Sequence, residues 1–277
     1  MLNFYLDNVI KLALQEDIGN GDITTIATVS EDKQIEGNFI AKEDGIICGL
    51  PIVKRLYQLL DDNVILTFIA NEGDQVKKGD IIAKISGPAR SILTGERVAL
   101  NFLQHLCGIA TKTREAVQKI HGTNAVIVDT RKTTPGLREI EKYAVKVGGG
   151  SNHRHNLSDG ILIKDNHIKA AGGITAAVEA ARKAAPHTIK IEVEVENFEM
   201  IDEALKCRAE IIMLDNMSID DMEKAVRIID GRALVEASGN MGEKDLSTVA
   251  KTGVDLISIG ALTHSVRAMD ISLRFIE

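Results

Sequence analysis

The sequence predicts an α/β protein in two parts. A small N-terminal α/β sandwich domain, with a helix leading out of it, is expected over residues 1–110, and an incomplete (β/α) barrel over residues 111–277. Two observations carry this reading. Between Gln34 and Ser86 the apolar residues fall in short β-like runs (IEGNFIAKEDGIICG, NVILTFIA, IIAKIS) around one helical segment, PIVKRLYQLL. After Asn124 the period changes. Apolar runs at 125–130, 160–165, 189–195, 210–215, 233–238 and 256–260 alternate with helix-like segments, the pattern of parallel βαβ units. Six such runs are fewer than the eight strands of a closed barrel, so an irregular or incomplete one is expected.

Residues 4–14 place Leu6, Val9, Ile10, Ala13 and Leu14 on one helical face, and Gly19 and Gly21 end that helix. Asp17 and Asp22, set beside those glycines, read as turn and capping residues rather than metal ligands. The segment NEGDQVKKGDIIAKISG resembles half of a biotinyl or lipoyl carrier sandwich. A carrier needs a modifiable lysine at a hairpin tip between two such halves; Lys77 and Lys78 lie in a VKKGD turn and the other half is missing, so that role is not expected. Residues 94–120 form a long helical stretch that Thr94 can cap and Gly108 interrupts, with a core of Val98, Leu100, Phe102, Leu103, Leu106, Ile109, Ala110 and Val117. Arg97 then falls in the first turn, where the helix dipole disfavours a cation. Leu137–Val147 reads as a helix with Glu139, Glu141, Lys142 and Lys146 on a solvated face.

In the second half the helical segments are GITAAVEAARKAA, FEMIDEALKC, SIDDMEKAVRIID and EKDLSTVAK. Each strand run finishes in a polar or small residue: Thr130 and Arg131, Lys164, Glu194, Asp215, Ser238, Gly260. In a (β/α) barrel those carboxyl ends meet at one mouth, where such barrels hold their chemistry. The loops SGNMG, with Ser238, Gly239 and Asn240, and GALTHS, with Gly260 and Ala261, can turn backbone N–H groups onto a phosphate. Glu192, Glu194 and Glu196 alternate with valines and so share one face of their strand. Inside a barrel such acids need partners, lysines included, or a function.

Residues 129–169 hold eight cations against five acids within a chain of net charge −7. A cationic island in an acidic protein is placed for a small local anion, which argues against a nucleic-acid partner. Arg131, Lys132, Arg154 and Lys164 sit at strand ends or beside glycines and are the cations expected to meet that anion. The island also holds His153, His155 and His167. An HxH pair can ligate zinc, but a third ligand at convincing spacing and a neighbouring cysteine are both missing, so His153 reads as a donor to a carboxylate and the other two as structural partners. No apolar run long enough for a bilayer and no signal segment occur, so no membrane partner and a cytoplasmic location are expected. Cys48, Cys107 and Cys207, odd in number and widely spaced, read as reduced thiols.

The blocks DTRKTTPGLR, GGGSNHR and LIKDNHI, with EDIGNGDIT at 16–24 and SIGALTHS at 258–265, resemble in order and spacing the quinolinate phosphoribosyltransferase family, across nearly the whole chain. The resemblance implies conversion of quinolinate and phosphoribosyl pyrophosphate to nicotinate mononucleotide, pyrophosphate and CO₂ in de novo NAD biosynthesis. It implies that Arg97, Arg131, His153, Arg154 and Lys164 bind the dicarboxylate, and that Lys132, Glu194 and Asp215 bind the phosphoribosyl group. Lys132, Lys164, Glu194 and Asp215 would be the catalytic set, and Thr130 would join the substrate-binding residues. Glu194 and Asp215 would hold Mg²⁺ partly through the substrate, with no organic cofactor. The loops at Ser238–Asn240 and Gly260–Ala261 would take the phosphate. Arg97 would reach across the interface of a homodimer or larger homo-oligomer. Cys107 departs from the serine of many relatives. A barrel phosphosugar enzyme, or a molybdate-associated relative with another anion in the pocket, is the alternative.

Overall fold

Apolar runs of period two and period 3.6 sort the chain into strands and helices, and a computed structural model describes them for residues 3–276. They divide between two compact units. One gathers the residues up to Arg114 together with 134–149 and those from Ser265 onward; the other gathers 115–133 and 150–264.

In the first unit, α1 (Asn3–Ile18) buries Leu6, Ile10 and Leu14, and α2 (Ile23–Thr28) follows, capped by Asp22, whose carboxylate accepts the Thr25 N–H. Then come β1 (Gln34–Ala41), β2 (Gly45–Ile46), α3 (Leu50–Leu60), β3 (Ile65–Phe68), β4 (Gln75–Val76), β5 (Ile81–Pro88) and α4 (Ala89–Lys119). The Glu72 carboxylate accepts the N–H groups of Gly49 and Leu50, a cap brought from outside the helix to the start of α3, and it also accepts the Tyr143 hydroxyl. The buried face of α3 is Leu50, Ile52, Val53, Leu56 and Tyr57.

The remaining elements are β6 (Val126–Val128), α5 (Arg138–Val147), β7 (Ile161–Ile163), α6 (Asp165–Ala171), α7 (Ile174–Ala184), β8 (Ile191–Val195), α8 (Phe198–Lys206), β9 (Ile211–Asp215), α9 (Ile219–Ile229), β10 (Leu234–Ser238), α10 (Leu246–Lys251), β11 (Leu256–Ser258), α11 (Ala261–His264) and β12 (Ile271–Phe275). The first unit holds an antiparallel sheet in the order β12-β1-β5-β3 and the β2-β4 pair. The second holds six parallel strands in the order β6-β11-β10-β9-β8-β7. Because β6 and β7 stand at the two ends without pairing, the barrel is incomplete, as expected. Parallel strands require crossover connections, and the segments α7 to α10 supply them between β7 and β11. Val193, Ile212, Leu214, Val235, Ala237 and Ile257 are buried among them.

Four local expectations are corrected. The long helix begins at Ala89 and runs unbroken through Gly108, so Thr94 does not cap it and Arg97 lies beyond its first turn. Gly108 is there for close approach: a Cβ would lie 2.3 Å from the Arg267 carbonyl oxygen. On α5, Glu141 and Lys142 are fully buried and only Lys146 of the four charges is fully exposed. Glu141 meets His105 Nε2 at 2.8 Å and the Thr134 N–H at 3.1 Å, partners distant enough in sequence to make an internal charge look solvated. Finally, β8 ends at Val195, so Glu196 is exposed beyond the strand and does not extend the row of Glu192 and Glu194.

Gly108→Ala drives a methyl into a backbone carbonyl that no rotamer change can relieve. We expect it to destabilise the fold by about 1–3 kcal/mol, read as a lowered midpoint in thermal or urea unfolding. An unchanged midpoint would show that 265–267 yields freely.

Candidate active site

The carboxyl ends of the parallel strands converge on a cavity of about 560 Å³. Of the residues expected there, Thr130, Arg131, Lys132, His153, Arg154, Lys164, Glu194, Asp215, Ser238, Gly239 and Asn240 line it. Gly260 and Ala261 are not in the lining, although Gly260 touches the site through Lys132: a Cβ there would lie 3.0 Å from Lys132 Cδ. Arg97 is exposed on α4 in the first unit and is not in the lining either. Leu162, Met213, Asn216, Glu236 and Ser258 complete the wall without having been singled out from the sequence.

Each polar side chain is held by its strand end. Asp129, fully buried after β6, accepts from Asn152 Nδ2 at 2.5 Å and from the His153 N–H at 2.9 Å, and so fixes the loop that carries His153 and Arg154. Thr130 Oγ1 accepts the Lys132 N–H at 3.0 Å, and the Lys132 carbonyl accepts the Thr263 hydroxyl at 2.7 Å. Arg154 Nη1 donates to the Gly160 carbonyl at 2.8 Å, closing the loop before β7. Lys164 Nζ is ion-paired with Glu194 Oε2, a lysine partner of the kind anticipated for that row of acids. His167 Nδ1 accepts the Lys164 N–H at 3.0 Å, a structural role within the start of α6.

The β9–β10 edge shows why glycine stands at 239. Asn216, with φ of 54°, donates its N–H to the Ser238 carbonyl at 3.1 Å and its Nδ2 to Asp215 Oδ2 at 2.9 Å. A Cβ on Gly239, whose φ is 93°, would lie 2.2 Å from Asn216 Oδ1, so both the backbone angle and the space exclude a side chain.

Below the cations, Glu192 of β8 and Glu236 of β10 are 4% and 1% exposed. Their strands flank β9, and barrels stack the inward side chains of alternate strands in one layer. His153 Nε2 lies 3.1 Å from Glu192 Oε2 and 3.6 Å from Glu236 Oε2, while its Nδ1 accepts the Arg154 N–H at 2.7 Å. Sequence reasoning sees His153 as a donor to a carboxylate; two carboxylates that its Nε2 faces belong to the protein, and the ring also lines the cavity. Among the described residues His153, Glu192 and Glu236 are the group close enough to share a cation, rather than the three histidines of the island. With Nδ1 taken by a backbone N–H, the ring proton sits on Nε2, so a proton and not a vacant lone pair faces the two acids. Burial pushes Glu236 up to about 8, Glu192 beside it adding to the rise and His153 opposing it. Burial also lowers the Arg154 guanidinium, with Arg131 adding and Glu192 opposing. Four cations facing Glu194 and Asp215 make a receptacle for a small polyanion that also carries hydroxyl groups or a hard cation.

Residues 22–107 match the N-terminal domain of quinolinate phosphoribosyl transferase and residues 109–274 its C-terminal domain. The chain is 45% identical over 273 residues to the probable nicotinate-nucleotide pyrophosphorylase [carboxylating] of Bacillus subtilis, covering 99% of this chain and 94% of the other. It is 42% identical over 288 residues to quinolinate phosphoribosyltransferase [decarboxylating] 2b, mitochondrial, of Nicotiana tabacum, covering 97% and 82%. Among solved structures, the nicotinate-nucleotide pyrophosphorylase of Francisella tularensis superposes with a TM-score of 0.95 at 41% identity, over 100% and 98% of the two chains. NadC from Streptococcus pyogenes does so with 0.93 at 42% identity, over 100% and 99%.

The buried acid layer gives the fold a pH dependence of known sign. Glu236 binds its proton more tightly when folded, so its stabilising contribution is complete below the ordinary carboxylate value of 4.5 and is lost as pH rises through about 8. Unfolding of wild type and Glu236→Gln followed from pH 5 to 8 should show wild type losing ground steadily, by at most about 1.4 kcal/mol per pH unit. A constant difference between the two proteins would contradict this assignment.

Proposed function

The chain belongs to the quinolinate phosphoribosyl transferase family, and from that membership we infer that it converts quinolinate and phosphoribosyl pyrophosphate to nicotinate mononucleotide, pyrophosphate and CO₂, a step of de novo NAD biosynthesis. The observation that carries the reading in this chain is one cavity ringed by Arg131, Lys132, Arg154 and Lys164 beside Glu194 and Asp215.

The division of labour follows from charge. Arg131, Arg154 and Lys164 bind the two carboxylates of quinolinate, the guanidinium groups through their planar forks. Lys132 and the backbone of Ser238–Asn240 and Gly260–Ala261 bind phosphate, with Gly260 leaving room for the Lys132 stem. Glu194 and Asp215, on adjacent strands, offer carboxylate oxygens to the cavity; such hard donors suit Mg²⁺ together with ribose hydroxyls, so these two residues would hold the metal, partly through the substrate phosphates. When bound there, Mg²⁺ supplies neutralisation of the pyrophosphate charge. A substrate carboxylate that reaches Lys164 competes with Glu194 for it, and so releases Glu194 towards the ribose. The ring nitrogen then bonds to the anomeric carbon as the C–O bond to pyrophosphate breaks, and the two carboxylates stabilise the positive charge that builds on the sugar. Nitrogen, now quaternary, draws the electron pair of the neighbouring C–C bond as CO₂ leaves.

Arg97 enters this scheme from a second copy of the chain. Its support is indirect: Arg97 is exposed, and α1 and α2 leave Phe4, Leu12, Ile23 and Ile26 exposed, an apolar surface of the kind that subunit contacts cover. We place the enzyme in the cytoplasm. No helix among the described residues is long and apolar enough to cross a membrane, and the free thiols Cys48 and Cys107 are buried, with burial pushing Cys107 up to about 12.

Purified protein given both substrates and Mg²⁺ should release nicotinate mononucleotide and CO₂; no product at any protein concentration rejects the function. Lys132→Ala and Lys164→Ala should fold and yet lose about 100-fold or more in kcat/KM, and wild-type rates in both would mean that the mouth is misplaced. If Arg97 serves its neighbour's pocket, mixing inactive Arg97→Ala with inactive Lys164→Ala should restore about a quarter of wild-type activity through hybrid dimers. No recovery after subunit exchange removes the shared site.

A further inference from the structure

The buried acid layer does something that binding a diacid does not require. Glu236 is 1% exposed, lines the cavity, and among the described residues neither of its carboxylate oxygens meets a donor within hydrogen-bond geometry, His153 Nε2 standing 3.6 Å away and Ser258 beside it; Glu192 Oε1 has no such donor either. Leaving a buried acid unbonded costs several kcal/mol unless it is neutral or engaged by a ligand. Two carboxyl groups this close, in a water-poor layer, cannot both be ionised without a further penalty. The single ring proton facing them, on His153 Nε2, lies nearer to Glu192 than to Glu236. Glu236 is therefore the member left to carry a proton of its own, and it carries it at the wall of the pocket.

The proposed reaction consumes one proton at a defined atom. Loss of CO₂ leaves an electron pair on the ring carbon next to the ribosylated nitrogen, and the product carries hydrogen there. We propose that Glu236 is the acid that delivers this proton, with Glu192 and His153 positioning it. This inference rests on the function proposed above and deepens it. The C–C bond to the departing carboxylate breaks with its electron pair left on the ring carbon; the Glu236 O–H bond breaks, its proton forms the new C–H bond, and the electrons of the O–H bond stay on the Glu236 carboxylate. As products leave, that carboxylate recovers a proton from solvent, and no oxidant or reductant is involved. An acid with its proton retained to about pH 8 is suited to such a transfer near neutrality. The groups facing Glu236 are Glu192 from β8, His153 from the loop after Ser151 and Ser258 from β11, with Arg131, Arg154 and Lys164 lining the same cavity. His153 and Ser258 favour ionisation of Glu236, and Glu192 opposes it.

Single-turnover experiments separate the two steps, because pyrophosphate reports sugar transfer and CO₂ reports cleavage of the C–C bond. In Glu236→Gln, pyrophosphate should appear within about threefold of the wild-type rate, while CO₂ and nicotinate mononucleotide appear about 10²–10³-fold more slowly and the ribosylated diacid accumulates. In wild type, independently of any variant's folding, the CO₂ step should slow by roughly tenfold per pH unit above about 8 while the pyrophosphate step does not change with it. Pyrophosphate and CO₂ falling together in the variant, or keeping wild-type rates together, overturns the assignment, as does a wild-type CO₂ step flat in pH. Wild type that releases neither product refutes the proposed function itself, and this inference with it.

Discussion

Cations gathered in one hollow repel one another, and everything in the second unit that matters for chemistry depends on acids placed to hold them there. Asp129 fixes the loop that carries His153 and Arg154. Glu194 pairs with Lys164. Glu192 and Glu236 lie in the layer that His153 faces. The strands make the arrangement uneven: Glu192 and Glu194 project inward two residues apart, one deep and bound to a histidine, the other nearer the opening and bound to a lysine that a ligand can claim. A receptacle for a polyanion is thus built with its own counter-charges, which a substrate exchanges rather than meets bare.

The backbone sets the rest of the geometry. Six parallel strands deliver their final residues to one end, and where two chain segments must come closer than a side chain allows, glycine appears. Gly239 against Asn216 shapes one wall of the cavity, and Gly260 against Lys132 leaves room for the stem of a cation. Asn216 serves both functions, since its amide steadies Asp215 while its carbonyl oxygen occupies the space over Gly239.

Much of this is legible in the amino-acid order alone. Runs such as EIIMLD and ALVEAS announce a buried parallel strand with its polar end, and all six strands of the barrel lie within the predicted runs. Local patterns fail where the deciding partner is far along the chain. Gly108 looks like a break until Arg267 is seen beside it, and Thr94 looks like a cap because nothing nearby shows the helix starting at Ala89. Glu141 looks solvated until His105 is seen beside it, and Lys142 is buried with it. Glu236 escapes sequence reasoning for a similar cause: a lone acid in VEAS carries no signal by itself, and its neighbour Glu192 sits two strands away in the sheet. His153 is visible as part of the site and Glu192 as an acid in need of a partner, but that the two face each other is not.

The pairing of β12 with β1 bears on how the protein comes into being. Gly37 is opposite Phe275 and Ala41 opposite Ile271, so the first sheet gains its outermost strand only after the whole barrel has emerged from the ribosome. Until then β1 presents an open edge to every other nascent chain, a hazard for strand-to-strand association in the crowded cell. Closure so late in translation makes this a slow-assembling sheet, one that a holding chaperone can protect and that a truncated message can never complete.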